Sequence, residues 1–173
     1  HTDSNIYDGF LVEGSPVVNF IRTIGFQPQG TPGNACYHIK EGADIHMVDC
    51  GASSFNYSFL ADPAAGKCVL NVFSTNCDFD NHQFTGISLD ETNGGDIYAL
   101  QFSNGRAGFG AGPGIAVNGG AHLDFSNFHS VKNTQDGVLI ANCEKLTWVG
   151  GAIAGNKSLG AAGYQNVNIN GGG

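Results

Sequence analysis

Residues 121–151 read AHLDFSNFHSVKNTQDGVLIANCEKLTWVGG, and two short phrases in and just ahead of this stretch recur at one spacing. LDFSN at 123–127 returns as LTWVG at 146–150, and IAVNG at 115–119 returns as VLIAN at 138–142, each pair 23 residues apart. In the LDFSN phrase apolar and polar residues alternate, the period of a β-strand with one buried face. IAVNG starts eight residues ahead of LDFSN and VLIAN eight ahead of LTWVG, and YHIKE at 37–41 likewise stands eight residues ahead of IHMVD at 45–49. A repeat of this length with two strand-like segments predicts a coil of β-structure that buries its apolar side only when several coils stack.

Outward from that stretch, LQFSN at 100–104 stands at the same spacing before Leu123, and VNING at 167–171 follows Leu146 at a slightly shorter one. The predicted series of equivalent strands therefore starts at 100, 123, 146 and 167. Between Ile45 and Leu123 there is room for two or three intervening coils, with LNVFS at 70–74 and CDFD at 77–80 as candidates. ADPAAGK at 61–67 and DETNGGD at 90–96 read as insertions or long turns. Residues 1–34 are less regular, a possible N-terminal coil or cap, with IGF at 24–26 as a candidate strand and QPQGTPGN at 27–34 as a loop. No apolar spacing of three and four persists long enough for a helix. The expected fold is all-β, a parallel β-helix (β-solenoid) of about 21–25 residues per coil. Residues 1–173 form a single domain, expected to be a fragment of a longer chain.

Strand alternation points Leu123, Phe125, Leu146, Trp148, Val167 and Ile169 inward, and Asp124, Ser126, Thr147, Val149, Asn168 and Asn170 outward. The residues that follow the inward pairs (Asp49, Ser74, Asn104, Asn127, Gly150 and Gly171) are expected at corners. Composition agrees: 27 of 173 residues are glycine, and only 13% are charged, against about 25% in an ordinary domain. Glycine and asparagine tolerate the left-handed backbone that tight corners demand. The five cysteines (36, 50, 68, 77 and 143) are odd in number and show no CxxC spacing, which predicts buried thiols rather than a disulfide framework.

The net charge of −8, with seven basic residues scattered singly, argues against nucleic acid and anionic membrane surfaces as partners. No apolar run reaches the length of about 20 residues that spans a bilayer, so no membrane insertion is expected.

GVLIAN at 137–142, LTWVGGAIAGN at 146–156 and the Gly- and Asn-rich corners resemble the right-handed parallel β-helix of the pectate-lyase-like superfamily. Within it the style is similar to bacteriophage tailspike and polysaccharide depolymerase domains, from about Ala99 onward. The resemblance implies a homotrimeric virion (tail) or extracellular protein that binds, and often cleaves, bacterial surface polysaccharide such as capsule or O-antigen. A non-catalytic structural or adhesive solenoid, and a secreted pectinase-like hydrolase or lyase, share the fold and stand as alternatives.

Glycoside hydrolysis needs two carboxylates flanking the bond, about 5–5.5 Å apart for retention and about 6.5–9.5 Å for inversion. The candidates are Asp124, outward on its strand, and Asp78 with Asp80, which alternate on one outward face. Asp124 is expected between Gln101 or Ser103 below and Thr147 above, with no carboxylate in register. Asp49, Tyr98 and Gln101 are candidate ligand contacts, and Asp90, Glu91 and Asp96 lie in a loop that could overhang a groove. A lyase would want clustered cations, but Arg22, Arg106, Lys132 and Lys145 are dispersed in sequence. His38 and His46 flank a turn near Asp49, yet no metal-binding motif is present, so neither metal nor cofactor is expected. Trp148 is expected in the core, and Tyr7, Tyr57, Tyr98 and Phe73 are the aromatic residues best placed for outward display.

Overall fold

The computed structural model describes residues 8–27, 34–156 and 166–169. Among them are nineteen strands and no helix, and the chain winds in turns of three strands. The first turn is β1 (Phe10–Ser15), β2 (Val18–Ile21) and β3 (Ile24–Phe26), and the second is β4 (Ala35–Gly42), β5 (Ile45–Val48) and β6 (Gly51–Ser53). The third is β7 (Tyr57–Ala61), β8 (Cys68–Thr75) and β9 (Asp78–Asp80), and the fourth is β10 (Thr85–Asp90), β11 (Asp96–Ser103) and β12 (Arg106–Gly108). The fifth is β13 (Ile115–Asn118), β14 (Ala121–Ser126) and β15 (His129–Val131), followed by β16 (Val138–Ala141), β17 (Leu146–Val149) and β18 (Ala152–Ala154). The single strand β19 (Val167–Ile169) begins a further turn.

Every strand pairs in parallel with its counterpart one turn away, so the molecule is a parallel β-solenoid with three faces. The first face runs from β1 through β4, β7, β10, β13 and β16 to β19. The second carries β2, β5, β8, β11, β14 and β17, and the third runs from β3 to β18. The expected two strands per coil are real, and a third, unexpected one accompanies them. The strands of this third face are three residues long, with only one inward side chain each; the expected candidates IGF and CDFD fall on it, as β3 and β9, and not in the series of Leu100 and Leu123.

The register joins Ile45 to Val72, Leu100, Leu123 and Leu146, with one constant spacing across the last three. Val167 does not continue this series. It pairs with Val138 on the first face, a correction to the expected series of 100, 123, 146 and 167. Alternation looks the same on every face, and only corner lengths reveal which face a strand joins. The earlier turns are also longer than expected: Gly51 pairs with Asp78 and Asp78 with Arg106, each a wider step than that from Leu100 to Leu123. The extra length of the third and fourth turns lies in the segments after β7 and β10, at the two insertions, which meet through an antiparallel bridge between Ala64 and Gly94. Residues 10–26, within the stretch expected to be an N-terminal coil or cap, form a complete three-strand turn, the coil.

The core is a set of side-chain columns, one residue per turn. Phe102, Phe125 and Trp148 stack with centroids 5.1 Å apart at each step and near-parallel rings. Phe79 fills the third face between Ala52 and Ala107, small residues that leave room for one large ring. Val167 and Ile169, expected inside, keep that register but are 40% and 67% exposed, because no described strand lies above β19.

Corners are left-handed and asparagine-rich. Between the second and third faces, Arg22, Asp49, Asn76, Asn104, Asn127 and Gly150 all have positive φ, from 49° to 71°. Ser74, expected at this corner, is instead a buried residue of β8, two residues short of Asn76. Side chains stack into amide ladders, with Asn76 donating to Asp49 at 3.1 Å and Asn127 to Asn104 at 3.0 Å. After the third face the ladder turns inside: Asn133, fully buried, donates to Asn156 at 2.9 Å and to the Ala107 carbonyl at 3.3 Å, and accepts from the Gly110 amide. His82 fills the same column one turn below Gly110, where a Cβ on the glycine would lie 1.9 Å from its Nε2.

Candidate functional site

The solvent side of the second face carries two columns of side chains. One reads His46, Phe73, Gln101, Asp124 and Thr147 from turn to turn, and the other Val48, Thr75, Ser103, Ser126 and Val149. Strand alternation puts both columns outside because their in-between neighbours, Leu100 with Phe102 and Leu123 with Phe125, are core. His46 and Phe73 stack at 5.1 Å and 21°, an aromatic plate that leads along the axis to Gln101. Between the columns in the last three turns lies a groove of about 440 Å³, lined by Gln101, Ser103, Asp124, Ser126, Thr147 and Val149.

Two long polar side chains of this groove are unspent, whereas the Ser103 hydroxyl is already bonded to Thr75 and to the Ser74 carbonyl. Among the described residues neither Gln101 nor Asp124 has a hydrogen-bonding partner in the protein, whereas the corner amides of Asn76, Asn127 and Asn142 are each committed to a neighbour. Gln101 and Asp124 are paired in register on adjacent strands, so an amide and a carboxylate stand side by side about 4.8 Å apart at their backbones. As the repeat implied, Asp124 has Gln101 below and Thr147 above, and no carboxylate in its column.

Tyr98 lies on the same strand as Gln101, at the edge of a second cavity of about 620 Å³ that includes Glu91, Asp96, Asn142 and Glu144. A left-handed residue interrupts the second-face strands one position before their core leucines (Ala99, φ 59°; His122, φ 55°), and the break at His122 brings its ring 4.9 Å from the ring of Tyr98. Of the expected 90–96 loop, Asp90 is the last residue of β10 and Asp96 the first of β11, and Glu91 and Asp96 line this cavity. Glu91 is partly spent inside it, accepting from the Ile97 amide at 2.6 Å.

Asp78 and Asp80 lie on the third face, flanking the inward Phe79, so they form no constellation with Asp124 on the second. Both pair with Arg106, Asp80 at 2.7 Å and Asp78 at 3.4 Å. Burial raises the Asp80 carboxyl above the usual carboxylate value, against the lowering influence of Arg106, and its Oδ1 is buried with no partner. An oxygen sealed from solvent cannot hand a proton to a substrate, and its other oxygen is held by the guanidinium. This arrangement suits a neutralised ion ladder better than an acid and base pair. Asp49 is a corner residue that accepts from Asn76 and lies 3.8 Å from Arg22.

His38 and His46 do not meet. His46 is on the second face. His38 is buried on the outer side of the first face, with Nδ1 2.8 Å from Asp8 and Nε2 2.6 Å from Asp62. No group of three or more His, Cys, Asp or Glu side chains among the described residues is arranged to hold a metal. All five cysteines are free, and the thiol of Cys36 is pushed up to about 12 by burial, so it is inert. Trp148 points inward as expected and stacks on Phe125, but it is only partly buried at the end of the core, and Tyr7 lies outside the described residues. Arg106 and Lys132, dispersed in sequence, converge: both cations lie over the ring of Phe109, at 5.6 and 5.4 Å. Phe109 is not a residue that the sequence singles out, although it and Lys132 stand at equivalent positions of successive repeats. Comparison of the chain with protein-family models, with curated proteins and with solved structures returned no match.

Proposed function

We propose that the protein recognises polysaccharide along the second face, as a tailspike-type receptor-binding solenoid does. What carries this reading is the pair of unspent side chains, Gln101 and Asp124, in register within an open groove. Sugar hydroxyls both donate and accept, so an amide beside a carboxylate can take two hydroxyls of one pyranose. The His46–Phe73 plate supplies the apolar contact that a pyranose C–H face seeks, in line with the polar pair along the axis. A linear glycan laid parallel to the axis would meet one rung about every 4.8 Å.

The groove favours binding over cleavage, since Asp124 is its single carboxylate and hydrolysis needs two. The bacterial surface as the source of the glycan, the phage tail as the setting and trimeric assembly belong to the same proposal. They are supported by the style of the sequence from about Ala99 onward.

A glycan array of bacterial capsules and O-antigens, followed by calorimetry on the binders, tests the proposal. Asp124→Asn, Gln101→Ala and Phe73→Ala are each expected to weaken binding by roughly tenfold, the loss of about one hydrogen bond or ring contact. Reducing-sugar release should stay at background. Absence of any binder, or a binder indifferent to all three substitutions, overturns it.

A further inference from the structure

Phe109 is an aromatic residue in a backbone conformation that suits glycine and asparagine. At the corner that follows the third face, the equivalent residues are Ser54, Asn81, Phe109, Lys132 and Gly155, with φ between 51° and 68°. Asparagine and glycine accept such angles readily, but for a bulky side chain they are strained. The two ill-suited residues, Phe109 and Lys132, are neighbours on successive turns, and the same rungs carry Arg106 and His129 in register on the outer side of β12 and β15. Strain that recurs on adjacent rungs with long side chains held outward is the kind that persists where it serves a site.

The charges at this corner are unequal. Arg106 is occupied by Asp80 and Asp78, while Lys132 has no carboxylate within ion-pairing distance among the described residues. Its ammonium rests 5.4 Å from the ring centroid of Phe109, and the phenyl group remains 46% exposed. A cation resting on an exposed ring is only loosely satisfied, because a ring face attracts it less than a carboxylate does. In a protein of net charge −8, an unmatched lysine beside an exposed aromatic marks where an anion is welcome.

We propose that Phe109 and Lys132 form a second saccharide subsite, specific for a carboxylate-bearing pyranose. The sugar acid pairs with the Lys132 ammonium, and the pyranose C–H surface lies against the exposed part of Phe109. The choice of a sugar rests on the proposed glycan recognition, whereas the preference for a carboxylate stands on Lys132 alone. The subsite lies on a different face from Gln101 and Asp124, so the two can be tested apart.

The test is titration of the whole chain with tetragalacturonate and with a neutral galactotetraose at low salt, followed by aromatic and lysine side-chain NMR. The acidic tetrasaccharide is expected to shift the Phe109 and Lys132 signals, and to bind about tenfold more tightly than the neutral one, as a single ion pair at a ring permits. Lys132→Gln should abolish that preference, and raising the salt should weaken it. Phe109→Asn places at this corner the residue that the turn below already uses, Asn81, so it should raise the melting temperature while lowering affinity for the acid. Phe73→Ala and Gln101→Ala, which weaken the second-face groove, should still show the acid-induced shifts of the Phe109 and Lys132 signals. Equal response to the acidic and neutral sugars, no response to either, or a Phe109→Asn protein that binds as before or melts lower would each overturn the proposal. Loss of neutral-glycan binding in the Gln101 variant alone would bear on the second-face groove and not on this corner.

Discussion

At the scale of single residues, the left-handed corners decide how tightly the chain can turn. Asn127 has φ 49°, stacks its amide on Asn104 and donates its backbone N–H to Val149. Replacing it by alanine removes the amide rung and puts into the left-handed region a residue that lacks asparagine's tolerance for it, two losses of about 1 kcal/mol each. Glycine would lose the rung but relieve the strain. Asn127→Ala is therefore expected to lower stability by about 2 kcal/mol and Asn127→Gly by about half of that, read from urea midpoints. Equal losses would mean that backbone conformation plays no part at this corner. The same reasoning separates spent from unspent polar groups: Asn76, Asn127 and Asn133 are structural because their amides are used, and Gln101 and Asp124 are left over.

At the scale of elements, stacking like over like makes each strand depend on its neighbours above and below. Phe125 on β14 lies between Phe102 and Trp148, with Phe128 at its edge 5.7 Å away. Phe125→Ala opens a hole that three rings cannot fill and should cost about 3–5 kcal/mol, with a change in the fluorescence of the single tryptophan, Trp148. A loss near 1 kcal/mol would show that the column can collapse. This level of structure is the most legible in the sequence. The constant spacing of Leu100, Leu123 and Leu146 and the eight-residue step from Tyr37 to Ile45 are strand register written as numbers. The third face is not legible as a face, although IGF and CDFD on it are noticeable singly, because Phe79, Ala107 and Ser130 are lone inward residues of different size, which form no phrase. Val167 reads as a member of the wrong face for a related reason, since its alternating pattern fits any face. The site is half legible. The pairing of Gln101 with Asp124 follows from the repeat, but the opposition of Arg106 to Asp80 and the meeting of Lys132 with Phe109 depend on where corners fall. Corner lengths vary from turn to turn in ways that no repeat predicts.

At the scale of the whole molecule, two buried histidines set opposite limits on stability with pH. His82 is fully buried in the third turn, both ring nitrogens lack partners, and burial lowers its pKa to about 4. The unfolded chain takes up this proton near pH 6.5 and the folded one near pH 4, so stability falls as acid is added between those values, by roughly 3 kcal/mol. His38 works the other way. Burial alone would lower its pKa, but the hydrogen bonds its ring N–H groups donate to Asp62 and Asp8 outweigh that and hold it above the ordinary value. Its contribution is complete below about pH 6.5 and is lost as the pH rises through the elevated folded pKa, when the ring can no longer serve both carboxylates as a cation. That clamp joins three successive turns: Asp8 stands just ahead of β1, His38 lies on β4, and Asp62 directly follows β7. Thermal unfolding from pH 4 to 9 should therefore trace a dome. His82→Phe, which repeats the Phe55 of the turn below, should flatten the acid limb while leaving the alkaline limb in place, and His38→Gln should flatten the alkaline limb alone. If both variants follow the parent curve at both ends, the limbs arise from the surface acids and not from these two histidines. Stability in a solenoid passes from turn to turn, so an opened His38 clamp should first release the turns it joins, and hydrogen exchange at alkaline pH should rise in β1 and β4 before it rises in β14 and β17.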